Sequence, residues 1–213
     1  MQTKYIVEHL DELEEWCALE YIHICEIIKD ENAIFTKFDK QFSDISSVHK
    51  PTCYEKPIRE LRHLFDWNKV CLLDMKAKDI LKCEDKDKIN FLLFGGILGN
   101  VPSDDRTSEL RKLNFPLSRN LGNMQMTTNT AVLVCYIILN DKVELEDIPF
   151  VDNPEVVLRN NKESIMLPFR FVSMYYYTKC ESDKTVPVLP RNFKDYLIRL
   201  GDQQYDDVDM SVF

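Results

Sequence analysis

Four of the five glycines in the chain stand at positions 95, 96, 99 and 122; the fifth is Gly201. Glycine lets backbone amides approach a ligand where a Cβ would collide. The segment Phe94-Gly95-Gly96-Ile97-Leu98-Gly99 follows an apolar run, Ile89 to Phe94, that reads as a buried strand. In open α/β sheets, ligands lie beyond the carboxyl ends of such strands. The spacing G-G-x-x-G is neither the dinucleotide fingerprint nor a phosphate-binding loop, which needs a following Lys-Ser or Lys-Thr. By itself it fits equally a tight strand exit with no ligand. A second glycine segment, Arg119-Asn120-Leu121-Gly122-Asn123-Met124-Gln125-Met126-Thr127-Thr128, leads into a Thr-Thr-Asn-Thr helix start. The remaining chemistry-bearing residues are scattered. His9, His23, His49 and His63 have no metal-ligand spacing, and seven cysteines occur without a C-x-x-C pair. The expectation is no metal site, and reduced, mostly core thiols.

The elements that would position these loops read as follows. Lys4 to Leu10 is a strand. Asp11, with Glu14 three residues on, is a capping-box start for a helix over 12–29. Ala33 to Phe38 is a short strand, 39–57 mostly loop, and Ile58 to Asp66 a short helix. Val70 to Leu73 is a strand, followed by a charged connection and the strand at 89–94, apolar enough to be buried on both faces of a parallel sheet. Ser103 to Leu113 is a helix with Leu110 and Leu113 inward. Thr128 to Leu139 is a buried helix, Ile165 to Ser173 a strand. Asn192 caps a final helix ending at Leu200, with Gly201 as its stop. Residues 1–201 form one domain and 202–213 an acidic tail. Alternating strands and helices make the class α/β.

Composition narrows the partners. The net charge of −9 repels a phosphate backbone on average. It suits a cationic partner such as a basic protein, or simple solubility. The opening MQTKYIVEHL has no signal-peptide pattern, and the longest apolar run, Ala131 to Leu139, is too short to span a bilayer. A soluble cytoplasmic protein is expected.

Taken together, FGGILG (94–99), DRTSELR (105–111), the RNLGNMQMTTNTAV run (119–132) and MLPFRFV (166–172) resemble the SPOUT methyltransferases. The similarity is greatest to the branch typified by a fungal arginine methyltransferase of a small-subunit ribosomal protein, whose opening strand and helix YIVEHLDELEEWCALEY also resembles. The chain departs from that pattern at Asn129 and Asn100, where aspartates are usual, and at Leu167 and Phe171.

The resemblance implies an α/β fold of SPOUT type: a trefoil-knotted, mostly parallel sheet flanked by helices, with a small C-terminal extension. It implies S-adenosylmethionine, leaving as S-adenosylhomocysteine, held in a bent pose by 94–99 and 119–128. The cofactor residues would be Phe94, Gly95, Gly96, Gly99, Leu121, Gly122, Gln125, Met126, Thr127 and Thr128. Leu121 and Met126 would be apolar walls, and Thr127 or Thr128 would cap the next helix. Substitution of Gly96 or Gly122 by valine is then expected to spare folding and abolish cofactor binding. A cationic sulfonium and a cationic guanidinium share a partly dry site only if carboxylates offset them. Asp105 and Glu109, with Glu8 from the first strand, are the catalytic candidates, and Asp104 a substrate contact. The same acids also read as first-turn or solvent-facing residues, and Arg106 as cofactor contact or salt bridge. In the tail, Asp206, Asp207 and Asp209 are candidates for recruiting a basic protein substrate. The partner is expected to be a small-subunit ribosomal protein, with no direct nucleic-acid or membrane binding, and a monomer is favoured. Two alternatives stay open: an RNA methyltransferase of the same fold, for which Lys and Arg between 184 and 199 are the modest basic candidates, and a non-catalytic scaffold.

Overall fold

The computed structural model describes residues 2–10, 12–96, 105, 107–159 and 163–206. In chain order its strands are β1 (Lys4–His9), β2 (Ala33–Thr36), β3 (Thr52–Tyr54), β4 (Val70–Leu73), β5 (Phe91–Gly96), β6 (Leu117–Arg119), β7 (Phe150–Asp152), β8 (Glu155–Val157), β9 (Ser164–Met166) and β10 (Arg170–Val172). Its α-helices are α1 (Glu15–Ile28), α2 (Thr107–Arg111), α3 (Thr128–Tyr136), α4 (Tyr175–Thr178) and α5 (Phe193–Asp206). Six strands form one parallel sheet in the order β3-β2-β1-β5-β4-β6. Two short antiparallel pairs, β7 with β10 and β8 with β9, follow in the C-terminal part.

Side-chain alternation sorts the sheet into two apolar faces. Tyr5, Val7, Phe35, Cys71, Leu92 and Phe94 point to one face, where α1 and α3 cover them. Ile6, Ile34, Val70, Leu72 and Leu93 point to the other, against Ile58, Leu61, Phe65 and Leu110. β5 lies between β1 and β4, so burial on both faces explains its continuous apolar sequence. Among the described residues, no helix is long and apolar enough to cross a membrane.

Several elements differ from the sequence reading. The segment 39–57 holds β3, which extends the sheet beside β2, and 117–119 forms the opposite edge, β6. α1 begins at Glu15; Asp11 lies outside the described residues, and the Glu14 carboxylate accepts from Trp16 Nε1 at 3.0 Å instead of capping. Ile58 to Asp66 is a run of 3-10 turns. The expected strand 165–173 is broken at Leu167-Pro168-Phe169 into β9 and β10, which pair with different partners. α3 passes at Tyr136 into a π turn over Ile137–Asp141. α5 does not stop at Leu200. It runs through Gly201 into 202–206, and Asp202 is paired with Arg159. Asn192 before it adopts a left-handed φ of 63°.

Candidate active site

A cavity of about 380 Å³ opens at the carboxyl ends of β4 and β5, within the roughly 300–1,000 Å³ usual for small-molecule sites. Both glycine segments reach it. Phe94 and Gly95 end the β5 wall; Leu121, Gly122, Gln125 and Met126 form the loop wall; Thr128 starts α3 there. Met124, Asn120 and Ala131 complete that side. β4 supplies a third wall that sequence reasoning missed: Leu73, Asp74, Met75 and Lys76. The one local signal for Asp74 is a carboxylate as the first polar residue after an apolar strand.

The loop is shaped by Asn120. Its backbone N–H donates to Asp79 O at 2.9 Å and its carbonyl accepts from Leu81 N at 3.0 Å. Its side chain donates to Ala77 O and accepts from Gly122 N, each at 2.9 Å. The chain then turns at Gly122 with φ of 88°, a conformation that L side chains adopt at a cost. Beyond the turn, Gln125 O accepts from Arg170 N at 2.8 Å, and Arg170 is held by Asp152 at 2.6 and 2.8 Å. The conspicuous MLPFRFV segment thus braces the loop from behind. On the other side, Arg119 forks onto buried Asp85 at 2.8 and 2.9 Å and anchors the end of β6.

An ion cluster stands at the cavity edge. Arg111 grips Asp74 through Nε at 2.6 Å and Nη2 at 2.8 Å, and Asp105 through Nη1 at 3.1 Å and Nη2 at 3.0 Å. Lys76 Nζ reaches Asp105 at 2.5 Å. The hydrogen bonds from Arg111 and then Lys76 pull the Asp105 carboxyl down to about 2. Burial opposes ionisation of Asp74, but the Arg111 fork prevails and its pKa is lowered. Both carboxylates are therefore anions with cationic partners in place.

Four of the expected site residues are placed away from the cavity. Gly96 is buried in the sheet: an added Cβ would sit 2.7 Å from Tyr21 Oη and 3.0 Å from Glu8 O and Val7 Cγ1. Its glycine is required for packing, so the expectation that valine there spares folding is corrected. Thr127 does not line the cavity; its hydroxyl meets Asn129 Oδ1 at 2.7 Å and Thr130 Oγ1 at 2.8 Å. Glu8 lies buried on the sheet face of Ile6, where its carboxylate accepts from Thr36 Oγ1 and from Ile58 N at 2.9 Å, and burial raises its pKa. Glu109 faces solvent, paired with Lys112. Asp105 lines the cavity together with Thr107. Gly99, Asp104, Arg106, Asp207 and Asp209 lie outside the described residues, and Asp206 ends α5. One trio the sequence spacing did not suggest, Cys25, Asp30 and His49, brings ligand-type atoms within 4.8 Å of one another. None of the three lines the cavity. Asp30 is engaged by His49 Nδ1 at 2.8 Å and Lys50 N at 2.7 Å, fastening a loop to the end of α1.

The cavity suits a small, partly apolar ligand. Leu73, Phe94, Leu121 and Met126 offer apolar walls, and backbone is open at Gly95 and Gly122. Comparison with known families decides between the ligands of that kind: residues 4–204 match the family model for SFM1-like protein arginine N-methyltransferases. The chain belongs to the SFM1-like family. It is 33% identical over 220 residues to the protein arginine N-methyltransferase SFM1 of Saccharomyces cerevisiae, covering 96% of this chain and 99% of that protein. The SFM1-like fold is equally clear in three dimensions. The crystal structure of yeast SFM1 complexed with SAM superposes with a TM-score of 0.79 at 32% identity, covering 95% of this chain and 93% of that one. The complex with SAH gives 0.78 at 34% identity, covering 91% and 94%. A Trm10 protein of Thermococcus kodakaraensis, 14% identical with a TM-score of 0.54 over 67% of this chain and 95% of that one, is similar in fold alone.

Proposed function

We propose that this SFM1-like chain transfers a methyl group from S-adenosylmethionine to an arginine side chain of a basic protein, of which a small-subunit ribosomal protein is the expected example. The observation that carries this reading is the cavity itself: family-pattern residues from two distant segments meet at the ends of two parallel strands and enclose a space of ligand size. Yeast SFM1 has been crystallised with SAM, with SAH and with MTA.

The residues divide the work. Leu73, Phe94, Leu121 and Met126 would exclude water from an aromatic base. When bound, the sulfonium supplies the methyl group to be transferred. Asp74 and Asp105 stand at the cavity edge paired with Arg111 and Lys76, so an incoming guanidinium would compete with those two cations for the carboxylates. Arg111 fixes their orientation. The guanidinium nitrogen must then be held in line at about 3–3.5 Å from the methyl carbon, a proximity effect. A monomer is the expected working unit in this reading. The trefoil threading characteristic of SPOUT folds and a cytoplasmic site of action belong to the same reading; the expected boundary between 1–201 and 202–213 does not, because α5 runs across it to Asp206. In the same reading, Asp206, Asp207 and Asp209 attract the basic substrate. Removing 202–213 is expected to raise the apparent KM and weaken its salt dependence; unchanged kinetics at low and high salt would count against that role.

The test is to incubate the purified protein with radiolabelled S-adenosylmethionine and an extract of cells lacking it, with and without ribonuclease. Label on a ribonuclease-resistant protein, recovered as methylarginine, supports the proposal. Ribonuclease-sensitive label would identify an RNA methyltransferase. No label and no calorimetric cofactor binding would leave a scaffold.

A further inference from the structure

Thr127 stands between two residues of the cavity wall, Met126 and Thr128, yet does not line the cavity itself. It holds the place before α3 where a side chain normally caps the helix, and its side chain makes no capping bond. Its hydroxyl instead donates to Asn129 Oδ1 at 2.7 Å. A hydroxyl has one proton, so Thr130 is the donor in the 2.8 Å bond between Thr130 Oγ1 and Thr127 Oγ1. The other end of the Asn129 amide reaches a different element: Nδ2 lies 2.9 Å from Nδ1 of His23 on α1. An amide nitrogen only donates, so His23 accepts there and carries its ring proton on Nε2. Side-chain bonds therefore run in one line from α1 to the end of the cofactor loop, through His23, Asn129 and Thr127.

Asn129 is 1% exposed. An amide costs free energy to bury unless it is hydrogen-bonded, and leucine, of similar size, packs between two helices without that cost. Helix packing alone therefore does not call for asparagine here. What the amide adds is direction: it holds the Thr127 hydroxyl on the side of α1. Thr127 also opens the helix through its carbonyl, which accepts from Ala131 N at 2.9 Å. The rest of the loop has its own anchors, Asn120 Oδ1 on Gly122 N and Arg170 N on the Gln125 carbonyl. The Asn129 bond is the side-chain anchor at the loop's far end.

We infer that Asn129 is a positioning residue for cofactor binding: braced by His23, it holds Thr127 turned away from the cavity and so sets its neighbours Met126 and Thr128 in the wall. Asn129 itself does not line the cavity. The inference rests on the proposal that this cavity holds S-adenosylmethionine.

The experiment uses the full chain and three variants. Thr127→Val keeps the shape and removes the hydroxyl; Thr127→Ser keeps the hydroxyl; Asn129→Leu removes both bonds of the amide. Cofactor affinity is measured by calorimetry, Tm in the absence of cofactor, and KM for cofactor and for protein acceptor separately. Thr127→Val is expected to bind S-adenosylmethionine about fivefold more weakly, the equivalent of roughly one lost hydrogen bond. Asn129→Leu should lose at least as much. In both, the KM for cofactor should rise while that for the acceptor stays close to wild type. Thr127→Ser should bind within about twofold of wild type, a rescue that depends on the hydroxyl. Wild-type affinity in Thr127→Val would overturn the inference. So would serine binding as weakly as valine, an equal rise in both KM values, or affinity losses that merely follow the order of Tm across the variants. If Asn129→Leu does not fold, the valine and serine proteins decide by the same criteria. Wild-type protein that fails to bind S-adenosylmethionine would refute the functional proposal instead, a separate result.

Discussion

Gly122→Ala isolates the cofactor loop from the fold. The residue has φ of 88°, and the atom nearest an added Cβ is Leu145 Cδ2 at 3.9 Å, an ordinary contact. The methyl group therefore has room, and the penalty is conformational. An L residue held at positive φ costs about 1–2 kcal/mol. The free loop escapes that strain by relaxing, at the expense of the 2.9 Å bond from Gly122 N to Asn120 Oδ1, worth about 1 kcal/mol. Binding must restore the strained shape, so cofactor affinity should fall by about five- to thirtyfold. The Tm of the free protein should fall by no more than a few degrees, since about 1 kcal/mol corresponds to roughly 2–4 °C at this size. Gly96→Ala is the control. Its Cβ would meet Tyr21 Oη at 2.7 Å and the Glu8 carbonyl at 3.0 Å, in a strand between β1 and β4. That overpacking should cost about 1–3 kcal/mol of stability and leave affinity of the folded fraction near wild type. Calorimetric titration paired with thermal unfolding reads both quantities. Wild-type affinity in Gly122→Ala, or proportional losses of Tm and affinity in both variants, would refute the reasoning.

Burial lifts the Glu20 carboxyl from near 4.5 to about 8, so the folded state keeps a proton that the unfolded state releases between those values. Stability should fall as pH rises through that window, by a few kcal/mol in total, and Glu20→Gln should remove this slope. Urea midpoints from pH 5 to 8 test it as a wild-type-minus-variant difference. That difference cancels buried His23, whose pKa is lowered to about 4 by burial and then by Arg191, giving the opposite slope below about 6.5; identical slopes in the two proteins would contradict the placement of Glu20. Asp105 shows the reverse sign. Its folded pKa of about 2 gives stability that is present above about pH 4 and lost as pH falls toward 2. Asp105→Asn should therefore flatten the acid limb of the stability profile, and an unaltered limb would argue against the Arg111–Lys76 pairing. Arg119→Met leaves Asp85, whose side chain is 3% exposed, with its charge largely uncompensated. It should cost about 3 kcal/mol by urea unfolding; a loss under about 1 kcal/mol would show that Lys88, whose Nζ lies 3.6 Å from the same carboxylate, suffices.

Burial determined which elements were legible. β1, β2, β4 and β5 occupy the sheet interior, and their apolar runs announce them. β3 and β6 are the two edges, three residues each and half-exposed or less buried, following Pro51 and Pro116. An edge strand needs no second apolar face, so Thr52–Tyr54 and Leu117–Arg119 leave no such run. Gly201 reads as a helix stop because glycine disfavours helix interiors by about 1 kcal/mol. α5 nevertheless continues past it, with the Arg159–Asp202 pair beyond. At the site, both loops were readable as motif segments, and Phe94, Gly95, Leu121, Gly122, Gln125, Met126 and Thr128 meet at one cavity. Asp74 and Lys76 were not readable, because they reach it through the pairing of β4 with β5, a contact without a local signature. Glu109 lay near the loops along the chain and Glu8 was expected to converge from the first strand, but alternation along β1 and the helical phase of α2 turn each away.

The central claim is that this cavity delivers a methyl group to arginine. Its most direct test is reaction with trideuteromethyl S-adenosylmethionine and a fraction of small-subunit ribosomal proteins, followed by tandem mass spectrometry of the products. The account predicts the deuterated methyl on an arginine side-chain nitrogen, at a rate that Gly122→Ala reduces. Label found only on RNA, or on no acceptor while the cofactor binds, would contradict it.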